Sequence, residues 1–158
     1  MSEILDVNQV LEERFEEEDT AKDLYLTFEI DEKDYGVEVS KIKEIITMCA
    51  VTNLPQTPEY VRGIINLRGD IVPVINVRAR FAVPEPDYVD STCIVVLDLE
   101  DYIIGLIVDQ VKGVFTITEE NLSSPPDAKL SYDNQFIKSI GKTEDGIKMI
   151  LDIEKVLF

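Results

Sequence analysis

The chain is 158 residues long, 45% apolar and 30% charged, which is enough apolar side chain for a packed core and excludes wholesale disorder. Lys and Arg number 15 against 32 Asp and Glu, for a net charge of −17. Such a surface repels phosphate backbones and anionic lipid and so excludes nucleic acid and bare membrane as partners.

Residues 1–23 carry nine acids against Arg14 and Lys22, with neither Gly nor Pro. Ile4, Val7, Leu11 and Phe15 fall on one helical stripe. This predicts an acidic N-terminal tail with some helicity, frayed rather than docked. Its start, Met1-Ser2-Glu3-Ile4-Leu5-Asp6, is acidic where a secretory signal is basic. No apolar run approaches the ~20 residues of a spanning helix. The expectation is a cytoplasmic protein without direct membrane insertion. Cys49 and Cys93 lie far apart, form no CxxC, and are expected to be free thiols.

From Leu24 the pattern changes to period two. Leu24, Leu26, Phe28 and Ile30 alternate with Tyr25, Thr27 and Glu29, which predicts a half-buried strand. Asp31 to Asp34 reads as a turn and Tyr35 to Val39 as the returning strand. Thr57-Pro58-Glu59 has the cap and first-turn proline of a short helix ending by Gly63. In the run Val61 to Val77, Gly63 and Gly69 bracket an apolar segment that carries Arg68. Gly69-Asp70 predicts a tight turn displaying Arg68, because glycine accepts positive φ. Glu44, an acid among Ile42, Ile45 and Ile46, is the candidate partner of Arg68.

Asp70 to Val77 is strand-like, and Pro73, which lacks a ladder donor, predicts an edge or a bulge. Pro84 to Asp87 reads as a linker. Thr92 to Leu99, Tyr102 to Val108 and Val111 to Ile117 read as three more strands, and Ser123 to Asp127 as a loop. Ile147 to Ile153 is the last predicted strand, with a helix beginning at Glu154. Many short strands at close spacing predict an all-β chain with a few short helices.

An internal repeat divides the chain in two. Gly36-Val37-Glu38-Val39 with Ile42 and Ile45 matches Gly105-Leu106-Ile107-Val108 with Val111 and Val114, at an offset of 69 (105 − 36). Pro73 to Val77 matches Met149 to Ile153, at an offset of 76 (149 − 73). The repeat predicts two pseudo-symmetric β subdomains, approximately 24–86 and 87–158. Each is too small to bury more than a marginal core alone, so the halves should share one.

Enzyme chemistry is poorly provided for. Histidine is absent, which removes the commonest general base and metal ligand and any Ser–His or Cys–His nucleophile system. Gly141-Lys142-Thr143 lacks the earlier glycine of a phosphate loop, since Phe136 stands there. Asp31 to Gly36 fails as a calcium loop, with Lys33 and Tyr35 at ligand positions. Asp98, Glu100 and Asp101 read as solvated turn acids. No catalytic residue, metal site or cofactor is assigned. A metal-dependent hydrolase and an oligonucleotide-binding barrel are the rival readings. The second needs aromatics interleaved with a basic patch, which this chain lacks.

The run Gly63 to Val77, above all Asn66-Leu67-Arg68-Gly69 with Ile71-Val72-Pro73-Val74, resembles the signature of the CheW chemotaxis coupling-protein family. Tyr35-Gly36, Lys41 to Ile45, and Gly105 to Asp109 with Val111 fit the same pattern in the same order over 24–158. The resemblance implies two five-stranded β-barrels around a shared core, forming a non-enzymatic adaptor that is monomeric when alone. It implies two partners: the cytoplasmic tips of chemoreceptors, and the regulatory domain of the histidine kinase CheA. Through receptor arrays the adaptor would be held at the inner face of the membrane. Glu44, Gly63 and Arg68, with Cys93 and Val114, would belong to the receptor-binding region. Val39 and Ile42 would belong to the kinase-binding face, although periodicity alone places both in the core. The loop Pro125-Pro126-Asp127-Ala128 would make a second, ring-closing contact, for which Ala128 is small. The chain ends at Phe158, which leaves the family's C-terminal helix short or missing. A CheW-like module of a different receptor–kinase system fits the same residues.

Overall fold

Leu24–Ile30 (β1) and Lys33–Glu38 (β2) form an antiparallel hairpin about Asp31 and Glu32, whose φ values are 53° and 66°. The computed structural model describes residues 7–9, 23–84, 87–125 and 135–157. A 3-10 turn at Val39–Lys41 then carries the chain away into β3 (Ile42–Thr47). A second hairpin follows, β4 (Val61–Leu67) and β5 (Asp70–Asn76). It ends in the one-turn helix α1 (Val77–Arg80), capped where Asn76 Oδ1 accepts from Ala79 N. The series then repeats as β6 (Cys93–Asp98), β7 (Ile103–Val108), β8 (Gln110–Thr116), the two-residue β9 (Leu122–Ser123), β10 (Ile137–Thr143), β11 (Gly146–Leu151) and α2 (Ile153–Leu157).

The strands form two sheets, ordered β8-β1-β2-β11-β10-β9 and β3-β6-β7-β5-β4. The repeat holds residue by residue. β11 lies parallel to β2 with Ile150 opposite Gly36, and β5 lies parallel to β7 with Val74 opposite Gly105. These positions are related by the same offsets, 69 and 76, found in the sequence. The bulges repeat too: after one, Glu44 faces Val96, and after the other, Gly113 faces Thr27.

The two repeats do not correspond to the two sheets. β3 leaves its own hairpin to pair with β6, and β8 leaves its hairpin to pair with β1. Each sheet therefore draws strands from both 24–86 and 87–158. This exchange gives the halves one core, as their size requires. Leu26, Phe28 and Val37 from one sheet pack with Val95, Leu97, Leu106 and Val108 from the other. The alternate residues face inward on each curved sheet: Ile94, Val96 and Ile107 with Ile65, Leu67, Val72 and Val74 in one, Tyr25, Ile117 and Ile150 in the other. The architecture is thus mostly β, with two curved sheets around a shared core.

Several expectations change. β1 is not half exposed: Thr27 is fully buried and Tyr25 nearly so, because β1 lies between β8 and β2 inside a curved sheet. No helix forms at 57–63. Thr57 Oγ1 bonds Leu54 O in a turn and β4 begins at Val61. A segment that short cannot nucleate a helix against a ready strand partner in β5. β5 is interior, yet its ladder with β7 runs only over Val74–Asn76, so Pro73 removes no donor from it. Of the acidic tail, Val7–Gln9 is helical and docked. Asn8 Nδ2 donates to Ile45 O and Asn8 Oδ1 accepts from Ile45 N, so one amide satisfies edge strand β3, while Val7 enters the shared core.

Candidate functional site

The β4–β5 turn is two residues, Arg68-Gly69, with φ of 51° and 93°. Asn66 Oδ1 accepts from Gly69 N at 2.8 Å and fixes the turn. Positive φ at both central residues matches the right-handed twist of the flanking strands and lifts Arg68 off the hairpin end. β3 is the opposite edge of this sheet, but curvature brings the two edges together. The Arg68 guanidinium pairs with the Glu44 carboxylate of β3, and Lys43 Nζ lies 3.9 Å from Asp70 Oδ2. Arg68 is 67% exposed and Glu44 21% exposed. An exposed pair of this kind contributes about 0–1 kcal/mol to stability, so its chemistry is free for recognition. The sequence reading paired these two residues, and the structure joins them.

Gly63 lies in β4 at φ 150°. A Cβ there would stand 2.2 Å from Thr52 O. Thr52 N donates to Ile64 O at 2.9 Å and Ile64 N to Thr52 O at 2.8 Å, so the segment after β3 seats against β4 because residue 63 has no side chain.

A second polar center joins the two sheets. Arg78, on α1, donates to Asp109 through Nε (2.9 Å) and Nη2 (2.6 Å), and through Nη1 to Pro84 O (2.5 Å). Asp109 Oδ2 also accepts from Asp31 N at 2.8 Å, and Asp31 Oδ1 lies 3.8 Å from Arg78 Nη1. Burial pushes the Asp109 carboxyl up, but its bonds from Arg78 and the Asp31 amide outweigh this and hold it below the ordinary carboxylate value. This clasp was missed in the sequence. Asp109 ends the quoted Gly105–Asp109 motif, but nothing local points from it to Arg78.

Among the described residues no group of three or more His, Cys, Asp or Glu is placed to hold a metal ion. None of their helices is long and apolar enough to cross a membrane.

Residues 24–157 match the model of the CheW-like domain. The chain belongs to the CheW-like family. It is 31% identical to the chemotaxis protein CheW of Klebsiella aerogenes over 133 residues, covering 84% of this chain and 80% of the relative. It is 33% identical to that of Bacillus subtilis over 132 residues (84% and 85%), and 36% identical to that of Thermotoga maritima over 134 residues (84% and 85%). The crystal structure of the scaffolding protein TtCheW from Thermoanaerobacter tengcongensis superposes with a TM-score of 0.76 at 32% identity, covering 82% of this chain and 88% of that one. CheW proteins are scaffolds rather than enzymes, and this chain is a chemotaxis scaffold of that family.

The remaining CheW-implied positions are dispersed. Val39 and Ile42 are buried in the shared core, as periodicity alone indicated. The outward groups beside them are Glu38, Ser40 and Lys43. Lys138 Nζ lies 2.7 Å from Glu38 Oε1, an ion pair that holds the lysine above and the carboxylate below their ordinary values, the latter against the upward push of burial. Cys93 is buried in β6 opposite Thr47, and burial pushes its thiol up to about 12. Its side chain therefore offers a partner no surface and supports the strand behind β3. Val114 is half-buried on β8 of the other sheet, opposite Leu26. Pro125 is half-buried, and Pro126, Asp127 and Ala128 lie outside the described residues. Cys49 and Cys93 are free, the first exposed.

Proposed function

We propose that this CheW-family scaffold couples chemoreceptor tips to the regulatory domain of the histidine kinase CheA in the cytoplasm, with Glu44 and Arg68 on the receptor side. The observation that carries the reading is the Glu44–Arg68 pair: its arginine sits on the family's signature run, it bridges two sheet edges, and it is too exposed to be needed for stability. Arg presents a planar fork of donors, and a curved sheet rim suits the apolar face of a helical hairpin. Gly63 and Cys93 act behind that surface, by fit and by strand support, rather than by contact. The kinase side is the outward face around Val39 and Ile42, formed by their polar neighbors. Val114 is a further receptor-side position, and Pro125, Pro126, Asp127 and Ala128 make the second, ring-closing contact.

The test is reconstitution. Sedimentation of the chain with cognate receptor fragments and the kinase regulatory domain is expected to give a ternary complex. Binding to neither partner refutes the reading.

A further inference from the structure

Residues 87–92, which lead into β6, meet the ends of β5 and β7 beside the Arg78 clasp. Asp87, Tyr88 and Thr92 form a small recess there with Asn76, Arg78 and Asp109. The segment is held by its own turn, with Val89 N donating to Thr92 Oγ1 and Thr92 N to Val89 O, both at 3.0 Å. Arg62 Nε adds a bond to Tyr88 OH at 3.1 Å. The recess has a volume of about 20 Å³, which is room for one water molecule.

One buried group in its wall lacks a partner. Asn76 is 5% exposed. Its backbone N–H donates to Tyr60 O at 2.7 Å, and its Oδ1 caps α1 by accepting from Ala79 N at 3.3 Å. That cap fixes the amide's orientation, because the flipped amide would set one donor against another. Nδ2 is thereby turned away from α1, and among the described residues it donates to none. Buried donors of this kind find an acceptor, in protein or in ordered water. Capping does not account for the amide, since Asp caps a helix as well as Asn does. Asp152, the equivalent residue at the offset of 76, caps α2 by accepting from Lys155 N.

The walls of the recess select what the acceptor is. Asp109 Oδ2 accepts from both Arg78 Nη2 and Asp31 N, whereas Oδ1 accepts from Arg78 Nε and keeps a lone pair. The buried Thr92 hydroxyl accepts from Val89 N, which leaves its proton to donate. An anion could accept from Asn76 but would meet the carboxylates of Asp109 and Asp87. A cation would meet the Asn76 NH2 group and the Arg78 guanidinium. Water both accepts and donates, and so answers every wall.

We propose that the recess is a binding site for one ordered water molecule, which accepts from Asn76 Nδ2 and Thr92 and donates to Asp109 Oδ1. Three partners are the usual number for a buried water. The water carries the clasp across to residues 87–92, so that this segment and the two sheets are tied to one carboxylate.

The test is water–protein NOE and ROE spectroscopy of the full chain, read at the Asn76 side-chain amide. A cross-peak with the sign of a held water is expected there, whereas the exposed Asn53 amide is expected to show the sign of freely diffusing water. Thr92→Leu puts a larger apolar side chain into the recess and is expected to abolish the Asn76 cross-peak. In crystals grown with sodium bromide, a density peak is expected about 2.7–3.2 Å from both Asn76 Nδ2 and Asp109 Oδ1, with no anomalous signal. A freely diffusing sign at Asn76, survival of the held-water cross-peak in Thr92→Leu, or a direct bond from Asn76 Nδ2 to a protein acceptor overturns the proposal. An anomalous peak in the recess overturns it in favor of an anion. Should Thr92→Leu fail to fold, the native spectrum and the crystal decide.

Discussion

Asp109→Asn tests the claim that the Arg78 clasp holds the two sheets together. The substitution keeps the side chain's size and one acceptor but removes the charge from a group bonded to Arg78 at 2.9 and 2.6 Å and to the Asp31 amide at 2.8 Å. Arg78 is 15% exposed and Asp109 26% exposed, so water compensates only in part. Breaking a fully buried pair costs about 3–5 kcal/mol, and partial exposure brings the expectation to about 2–3 kcal/mol. For a chain of this length that lowers Tm by about 5–10 °C. The effect depends on pH in a defined direction. Asp109 is held below its unfolded value, so its contribution is fully present above the ordinary carboxylate pKa and is lost as pH falls through the depressed folded value. Urea melts at pH 7 are expected to separate the variant from wild type, and the separation is expected to shrink as pH falls below the ordinary carboxylate range. A double-mutant cycle with Arg78→Gln should return a coupling of the same size. A coupling below about 0.5 kcal/mol, or a difference unchanged by acid, refutes the reasoning.

Arg68→Glu is expected to weaken receptor coupling while changing stability by less than about 1 kcal/mol, because the pair it breaks is exposed. Adding Glu44→Arg should restore part of that coupling in a receptor pull-down. Gly63→Ala forces a Cβ to within 2.2 Å of the Thr52 carbonyl at φ 150°, and a loss of about 2–4 kcal/mol is expected in a urea melt. In the native protein a thiol reagent is expected to modify Cys49 rapidly and leave Cys93 unmodified until the chain is denatured, since burial removes both access and thiolate character.

The clasp and the Glu44–Arg68 pair divide the labor expected of an adaptor. The better buried pair joins the two sheets at the point where the chain crosses between them, whereas the exposed pair leaves a charged fork at a sheet rim.

Local patterning in the sequence determined the repeat, most of the strands and the Arg68 turn. Each depends on residues near in sequence: period-two apolar runs, a glycine at a hairpin end, and two constant offsets. The offsets even carried the register, since Ile150 meets Gly36 as Val74 meets Gly105. β10 escaped notice because Ser139 and Gly141 interrupt its apolar pattern, and its place is set by β11. Tertiary structure alone decided that β3 and β8 change sheets, that Thr27 is buried, that Asn8 seals an edge strand, and that Arg78 finds Asp109. These are pairings between residues distant in the chain, and their partners are selected by sheet curvature and by which edge remains open. No local pattern encodes that choice.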